Sequence, residues 1–298
     1  MIEAEAVSFT SDGVVLAGSL LRPIAETSAA GCVILCHGFS GTMDRLRLHA
    51  DRFGEAGLAA FTFDYRNFGR SSGSPRQLVD ITGQQRDIHA AVRFVRSTPG
   101  IDPSRIGLWG NSLGGAHVIT VAARDRGVAA VVSQIPFNGF PRRLPGRSRR
   151  SALALTAAIA VDVIRARLGL DPSYIKMVGA PGELAVTATP DAFHHIQALA
   201  GADPDTTWEN RIAPRALLAM SRYRPADDAP CVRAPVLLCA AEADVETPLE
   251  RVRQLCRRLP QAELRVYPGT HFDFYGHDET RRAVLEDQVR FLSKHLRS

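Results

Sequence analysis

The sequence predicts an α/β chain: a mostly parallel sheet covered by helices on both faces, with a helical insertion late in the chain. Three observations predict it. Apolar runs of strand length alternate with amphipathic runs of helix length from residue 32 to residue 133, and again from residue 235 onward. A serine sits between glycines, in Gly110-Asn111-Ser112-Leu113-Gly114, where one of those strands gives way to a helix. Between the two alternating blocks, residues 137–232 lose the alternation and read as helical and proline-punctuated.

The elements follow in order. Residues 3–10 and 14–22 flank Ser11-Asp12-Gly13, a hairpin signal, so two antiparallel strands open the chain. Residues 32–36 (CVILC) form a continuous apolar run, as a strand buried on both faces requires. Residues 44–56 are amphipathic and stop at Gly57, which predicts a helix; residues 58–64 (LAAFTFD) give the next strand. Residues 79–96 place Ile81, Ile88, Val92 and Val95 on one helical face. Residues 105–109 form a strand and 116–124 a helix around Ser112, and 128–133 form one more strand. Past the insertion come a strand at 235–241, a helix at 249–259, a strand at 263–267 and a closing helix at 279–296. The chain thus divides into a core, residues 1–136 and 233–298, and a lid, residues 137–232.

Composition narrows the classes. At 298 residues and 45% hydrophobic, the chain has ample core. No run reaches the ~20 apolar residues of a membrane span; the longest candidate, 152–161, meets Asp162. The start, MIEAEAVSF, carries Glu3 and Glu5 where a secretory signal needs a basic and then an apolar stretch. Five cysteines without metal-ligand spacing predict a reduced, cytoplasmic protein that needs no metal. The net charge is +5, yet Lys176 and Lys294 are the only lysines. So strong an Arg skew reflects composition, and without an aromatic-interleaved basic motif no nucleic-acid partner is expected.

A serine hydroxyl is a poor nucleophile until a base takes its proton, and that base needs an orienting group. Both belong on loops at the C-terminal ends of strands. Asp244 follows the strand at 235–241, and His271 follows the strand at 263–267. The acid is not unique by position: Glu242 and Glu246 are neighbours, and Asp244 is also placed to cap the helix after Pro248. His37-Gly38-Phe39-Ser40-Gly41 directly follows the strand at 32–36. There the Phe39 N–H, together with that of Leu113 after the serine, is placed to form an oxyanion hole. His37 itself is expected to bond the neighbouring loop backbone.

Taken together these residues resemble the α/β-hydrolase superfamily. The resemblance rests on His37-Gly38-Phe39, the stretch Asp64-Tyr65-Arg66-Asn67-Phe68-Gly69-Arg70-Ser71, Gly110-Asn111-Ser112-Leu113-Gly114-Gly115, Asp244 and His271, in the order serine, acid, histidine. It implies the α/β-hydrolase fold and a Ser112, Asp244, His271 triad. The Asp64–Ser71 stretch departs from the family's D-x-R-G-x-G-x-S loop at Asn67 and Phe68 and reads as scaffolding, with Asp64 and Arg66 holding the strand end. His271-Phe272-Asp273-Phe274-Tyr275 and Val178-Gly179-Ala180-Pro181-Gly182 are similar to acyl-ester and thioester hydrolases with a helical lid.

The expected function is cleavage of a carboxylic ester or thioester through an acyl-enzyme, on a small-molecule or carrier-bound acyl substrate and without a cofactor. Acyl transfer by the same triad is the alternative. A peptidase-like hydrolase would need an amine or carboxylate clamp that the sequence does not reveal, and a non-enzymatic scaffold sits poorly with a complete triad. Homo-oligomer formation is left open. In the lid, a helix at 152–168 carries Ala154, Ala157, Ala158 and Val161 on one face. Ala157 and Ala158, with Phe137, are candidates to line an acyl pocket; close helix packing is the other explanation of that face. Phe140, Phe193, Trp208 and Tyr223 are further apolar candidates. Arg142, Arg143, Arg147, Arg149 and Arg150 either attract an anionic acyl carrier or form a solvated loop. His194 and His195 lack metal-ligand spacing and are assigned no chemistry.

Overall fold

The computed structural model describes residues 4–23, 29–141, 148–199, 206–276 and 279–297. The chain opens with β1 (Ala4–Ser11) and β2 (Val14–Leu21), paired antiparallel. Asp12 and Gly13 join them at φ of 49° and 79°, the backbone a two-residue hairpin turn needs to follow the strand twist. Strands then alternate with helices: β3 (Ala30–Cys36), α1 (Arg47–Glu55), β4 (Ala59–Phe63), α2 (Ile81–Arg96), β5 (Ile101–Asn111), α3 (Leu113–Arg124) and β6 (Val128–Gln134). The insertion holds α4 (Arg149–Arg167), β7 (Lys176–Val178), β8 (Ala185–Thr187), α5 (Pro190–Leu199), α6 (Ala216–Arg222) and the single turn α7 (Pro225–Asp228). The chain closes with β9 (Val236–Ala241), α8 (Leu249–Cys256), β10 (Ala262–Tyr267) and α9 (Glu279–Leu296).

Eight strands form one sheet in the order β1-β2-β4-β3-β5-β6-β9-β10. The β1–β2 and β2–β4 pairs are antiparallel and the rest parallel. Every residue of β3 and β9 is buried, because helices cover both faces and leave the central strands no solvated side. One apolar cluster lies under α2, α3 and α8, with Ile88, Val118 and Val252 in it; the other lies under α1 and α9, with Phe53, Trp109 and Leu292. Strand order reverses beside β5, so the crevice beyond its C-terminal end is where an open α/β sheet places a ligand. Among the described residues no helix is long and apolar enough to cross a membrane.

The Asp64–Ser71 stretch acts as scaffolding. Asp64 accepts from the backbone N–H groups of Met43 and Arg70, each at 2.8 Å, and burial pushes its carboxyl up to about 6. Arg66 is buried against Asp87, whose carboxylate takes its Nη2 at 2.6 Å and its backbone N–H at 3.0 Å. A buried ion pair is favourable only when such extra hydrogen bonds saturate it.

The insertion departs from expectation in two ways. It contains a parallel strand pair, β7–β8, within a stretch read from the sequence as helical. The face that α4 presents to the body is also not the predicted one. Leu155, Ala158 and Ile159 pack on the core, and the buried Asp162 carboxylate accepts from the N–H groups of Ser173 (2.9 Å) and Arg215 (3.1 Å). That polar anchor fixes the helix rotation, so Ala154, Ala157 and Val161 face outward.

Candidate active site

β5 ends at Asn111, and α3 starts at Leu113, so Ser112 alone makes the turn. Its φ of 51° and ψ of −115° are strained for a residue with a side chain. The turn closes because its flanks are glycine. A Cβ at Gly110 would collide with the Gly114 carbonyl, and one at Gly114 would collide with the Cys36 and His37 carbonyls. The Ser112 N–H donates to the Gln134 carbonyl at 2.9 Å, and its carbonyl accepts from Phe137 N–H at 3.0 Å. Strain at Ser112 is thus held by β6 and by the root of the insertion.

Asp244 and His271 leave the adjacent strands β9 and β10. His271 Nδ1 donates to Asp244 Oδ2 at 2.8 Å, and the Thr247 hydroxyl donates to the same oxygen at 2.7 Å. Oδ1 accepts from the N–H groups of Glu246 (2.8 Å) and Thr247 (2.7 Å). Burial works against charge on both groups. Even so, the mutual attraction and these donors hold the Asp244 carboxyl below its usual range and the His271 imidazole above its ordinary value. Of the alternative acids, Glu242 is exposed, and Glu246 points its carboxylate to the Thr189 hydroxyl, 3.2 Å away. Asp244 is the carboxylate on His271.

Ser112 and His271 line a single cavity of about 390 Å³. Phe39 lines it too, whereas Leu113 is buried beneath the serine. The N–H groups of Phe39 and Leu113 have no acceptor among the described residues, as the first N–H groups of a helix and a glycine-rich turn leave them. His37 is structural. Its Nδ1 donates to the Gly38 carbonyl at 3.0 Å, its Nε2 accepts from Tyr65 N–H at 3.5 Å, and burial pushes its imidazole down to about 4.

The insertion roofs the cavity with Phe137, Phe140, Met177, Val186, Trp208 and Met220. Phe193 and Tyr223 are not among the lining residues, and Tyr223 instead bonds His117 and Thr120 inside the core. Ala157 and Ala158 do not line the cavity: Ala157 is on the exposed face of α4, and Ala158 packs on the core. Arg142, Arg143 and Arg147 lie outside the described residues; Arg149 and Arg150, which open α4, are exposed.

Sequence reasoning missed several lining residues. His195 rests its ring on Phe272 (5.3 Å) and Tyr275 (5.5 Å), inside the cavity, and Asn111 donates to the Tyr275 hydroxyl at 3.0 Å. The phrase around His271 carried part of the signal, since its aromatic residues form this wall. No metal-binding cluster of His, Cys, Asp or Glu is present among the described residues.

Fold, elbow and paired acid and histidine together define an α/β hydrolase. Comparison with known proteins agrees: residues 27–276 match the family described as serine aminopeptidase, S33, and the chain belongs to it. The chain is 36% identical over 290 residues to a quorum-quenching protein, AidA, of Acinetobacter baumannii, covering 97% of this chain and 94% of that protein. It is 39% identical over 134 residues to the thiohydrolase aneE of Aspergillus aculeatus, covering 45% of this chain and 41% of the relative. The crystal structure of the α/β hydrolase GrgF from a Penicillium species superposes with a TM-score of 0.82 at 24% identity, over 99% of each chain.

Proposed function

We propose that this protein is a serine hydrolase that cleaves a carboxylic ester or thioester through an acyl-enzyme. One observation carries the reading: the Asp244–His271 hydrogen bond at 2.8 Å opens onto the same cavity as a serine held at φ 51°. With Nδ1 committed to Asp244, Nε2 of His271 is left to take the Ser112 proton. Ser112 Oγ attacks the carbonyl carbon, and the Phe39 and Leu113 N–H groups receive the oxyanion. His271 then gives its proton to the departing alcohol or thiol. Water enters, His271 takes one of its protons as the water oxygen attacks the acyl carbon, and the bond to Ser112 Oγ then breaks, with His271 returning the proton to Oγ as the acyl group leaves as an acid. Asp244 stays ionised throughout and orients the ring.

Thioesters belong in the substrate class because a relative matched over part of its length is a thiohydrolase. The insertion serves as a lid: Met177, Val186, Trp208 and Met220 make an apolar roof suited to an acyl chain. A panel of esters and thioesters of graded acyl length tests the reading, with a competing alcohol or amine acceptor to separate hydrolysis from acyl transfer. Mass spectrometry of fluorophosphonate-treated protein should find the adduct on Ser112. Labelling elsewhere, or no turnover across the panel, would sink it.

A further inference from the structure

Beyond Ser112 and His271, the cavity has a basic end. Arg45, in the short 3-10 turn Met43–Leu46, is half-buried and lines it. Its guanidinium has no hydrogen bond or ion pair with the described residues. Arg281 of α9 lines the cavity as well, and its Nη1 is fixed on the carbonyls of Tyr275 (3.2 Å) and Gly276 (2.5 Å). His49 lies at 4% exposure with its ring 4.5 Å from that of Trp109, and its Nδ1 has no partner among the described residues. Thr42 Oγ1, also on the cavity wall, is likewise buried without a partner.

Among the described residues, the acids that line the cavity are committed elsewhere. Asp44 is held by Arg70 and by Thr207, whose hydroxyl donates at 2.9 Å. Asp244 is held by His271, and Glu246 accepts from Thr189. The imidazoles stay neutral and add no further positive charge. Burial, with Arg45, His271 and Arg281 nearby, lowers His195 to about 4, and burial with Arg281 nearby lowers His49 to about 3. A partly desolvated guanidinium with no counter-ion among the described residues is unfavourable. Its planar fork matches a carboxylate bidentately.

We infer that this end of the cavity is a subsite for a carboxylate carried by the substrate, bound by Arg45 with Arg281 adding its field. The inference rests on the hydrolase reading and narrows its substrate class to anionic esters and thioesters. The carboxylate belongs either to the acyl chain or to the leaving group.

Three esters separate these sources: 4-nitrophenyl butyrate, mono-4-nitrophenyl glutarate and 4-(butyryloxy)benzoate. Arg45→Gln should lower the ratio of kcat/KM for one carboxylate ester over the neutral ester by about tenfold. Arg45→Lys should restore part of that ratio, and raising salt from about 50 mM to about 500 mM should erode it in the unmodified protein. The ester that responds names the source. A ratio that Arg45→Gln leaves within about twofold for both carboxylate esters overturns the subsite. If no ester turns over, the hydrolase reading fails on its own, and calorimetry still tests the subsite. Monomethyl glutarate should bind Ser112→Ala protein, and adding Arg45→Gln should weaken it about tenfold. No binding, or no weakening, overturns the subsite.

Discussion

The floor and the roof of the cavity are built by different rules. On the floor the acid and the serine backbone are held by directional bonds: four donors surround the Asp244 carboxylate, and the Ser112 peptide groups are tied to Gln134 and Phe137. The roof is made of apolar side chains such as Met177, Trp208 and Met220, which come from separate pieces of the insertion. Directional bonds tolerate little displacement, whereas dispersion contacts are many and individually weak. On the function proposed above, the floor governs whether a carbonyl reacts, and the roof governs which acyl group reaches it.

The largest test of that division is on the floor. Ser112→Ala and His271→Ala should each cost about 10⁶ in kcat, since triad members act as a unit. Thermal unfolding should show the protein still folded. Asp244→Asn should cost about 10³–10⁴ in kcat, because the ring loses the acceptor that fixes its tautomer. Glu242→Gln and Glu246→Gln should fall far short of that loss; collapse in either would move the acid and redraw the floor.

A pH profile sharpens the same point. His271 must be neutral to act as base, so kcat/KM should fall as pH drops through its pKa. The Asp244 carboxylate favours the protonated ring, which puts the midpoint of that acid limb above the ordinary 6.5. Asp244→Asn removes the attraction while burial remains, so the midpoint should move down. An unmoved midpoint would assign the limb to another group.

The smallest effects belong to the roof. Met177→Trp should shift preference toward shorter acyl chains by about tenfold, the scale of a methylene or two in an apolar pocket. Ala157→Phe, on the outer face of α4, should leave the chain-length profile unchanged. A shift from Ala157→Phe with none from Met177→Trp would reverse the assignment of the roof. Graded acyl esters read both.

The same division explains what was legible in the sequence. Gly110, Gly114, Ser112, Asp244 and His271 stand out because close backbone approach and proton transfer admit few residue types at those spacings. The alternating strands were legible because burial on both faces leaves continuous apolar runs. The roof was not. Any medium-sized apolar side chain serves there, so Met177 and Trp208 carry no mark. On α4 the small-residue face suggested a pocket, but the buried Asp162 sets the rotation through Ser173 and Arg215, residues distant in sequence. Arg45 and Arg281 were hidden among 36 lysines and arginines, and His49 among nine histidines; they gain meaning only from sharing one cavity.

The Phe137 N–H on the Ser112 carbonyl has a mechanical consequence. The first residue of the insertion is pinned to the peptide of the nucleophile, 3.0 Å from donor to acceptor. If the insertion is the lid proposed above, it hangs from a fixed post at Ser112, and a swing that admits substrate has to begin past residue 137. A hinge displaced in that way would let the roof move while the serine keeps its aim.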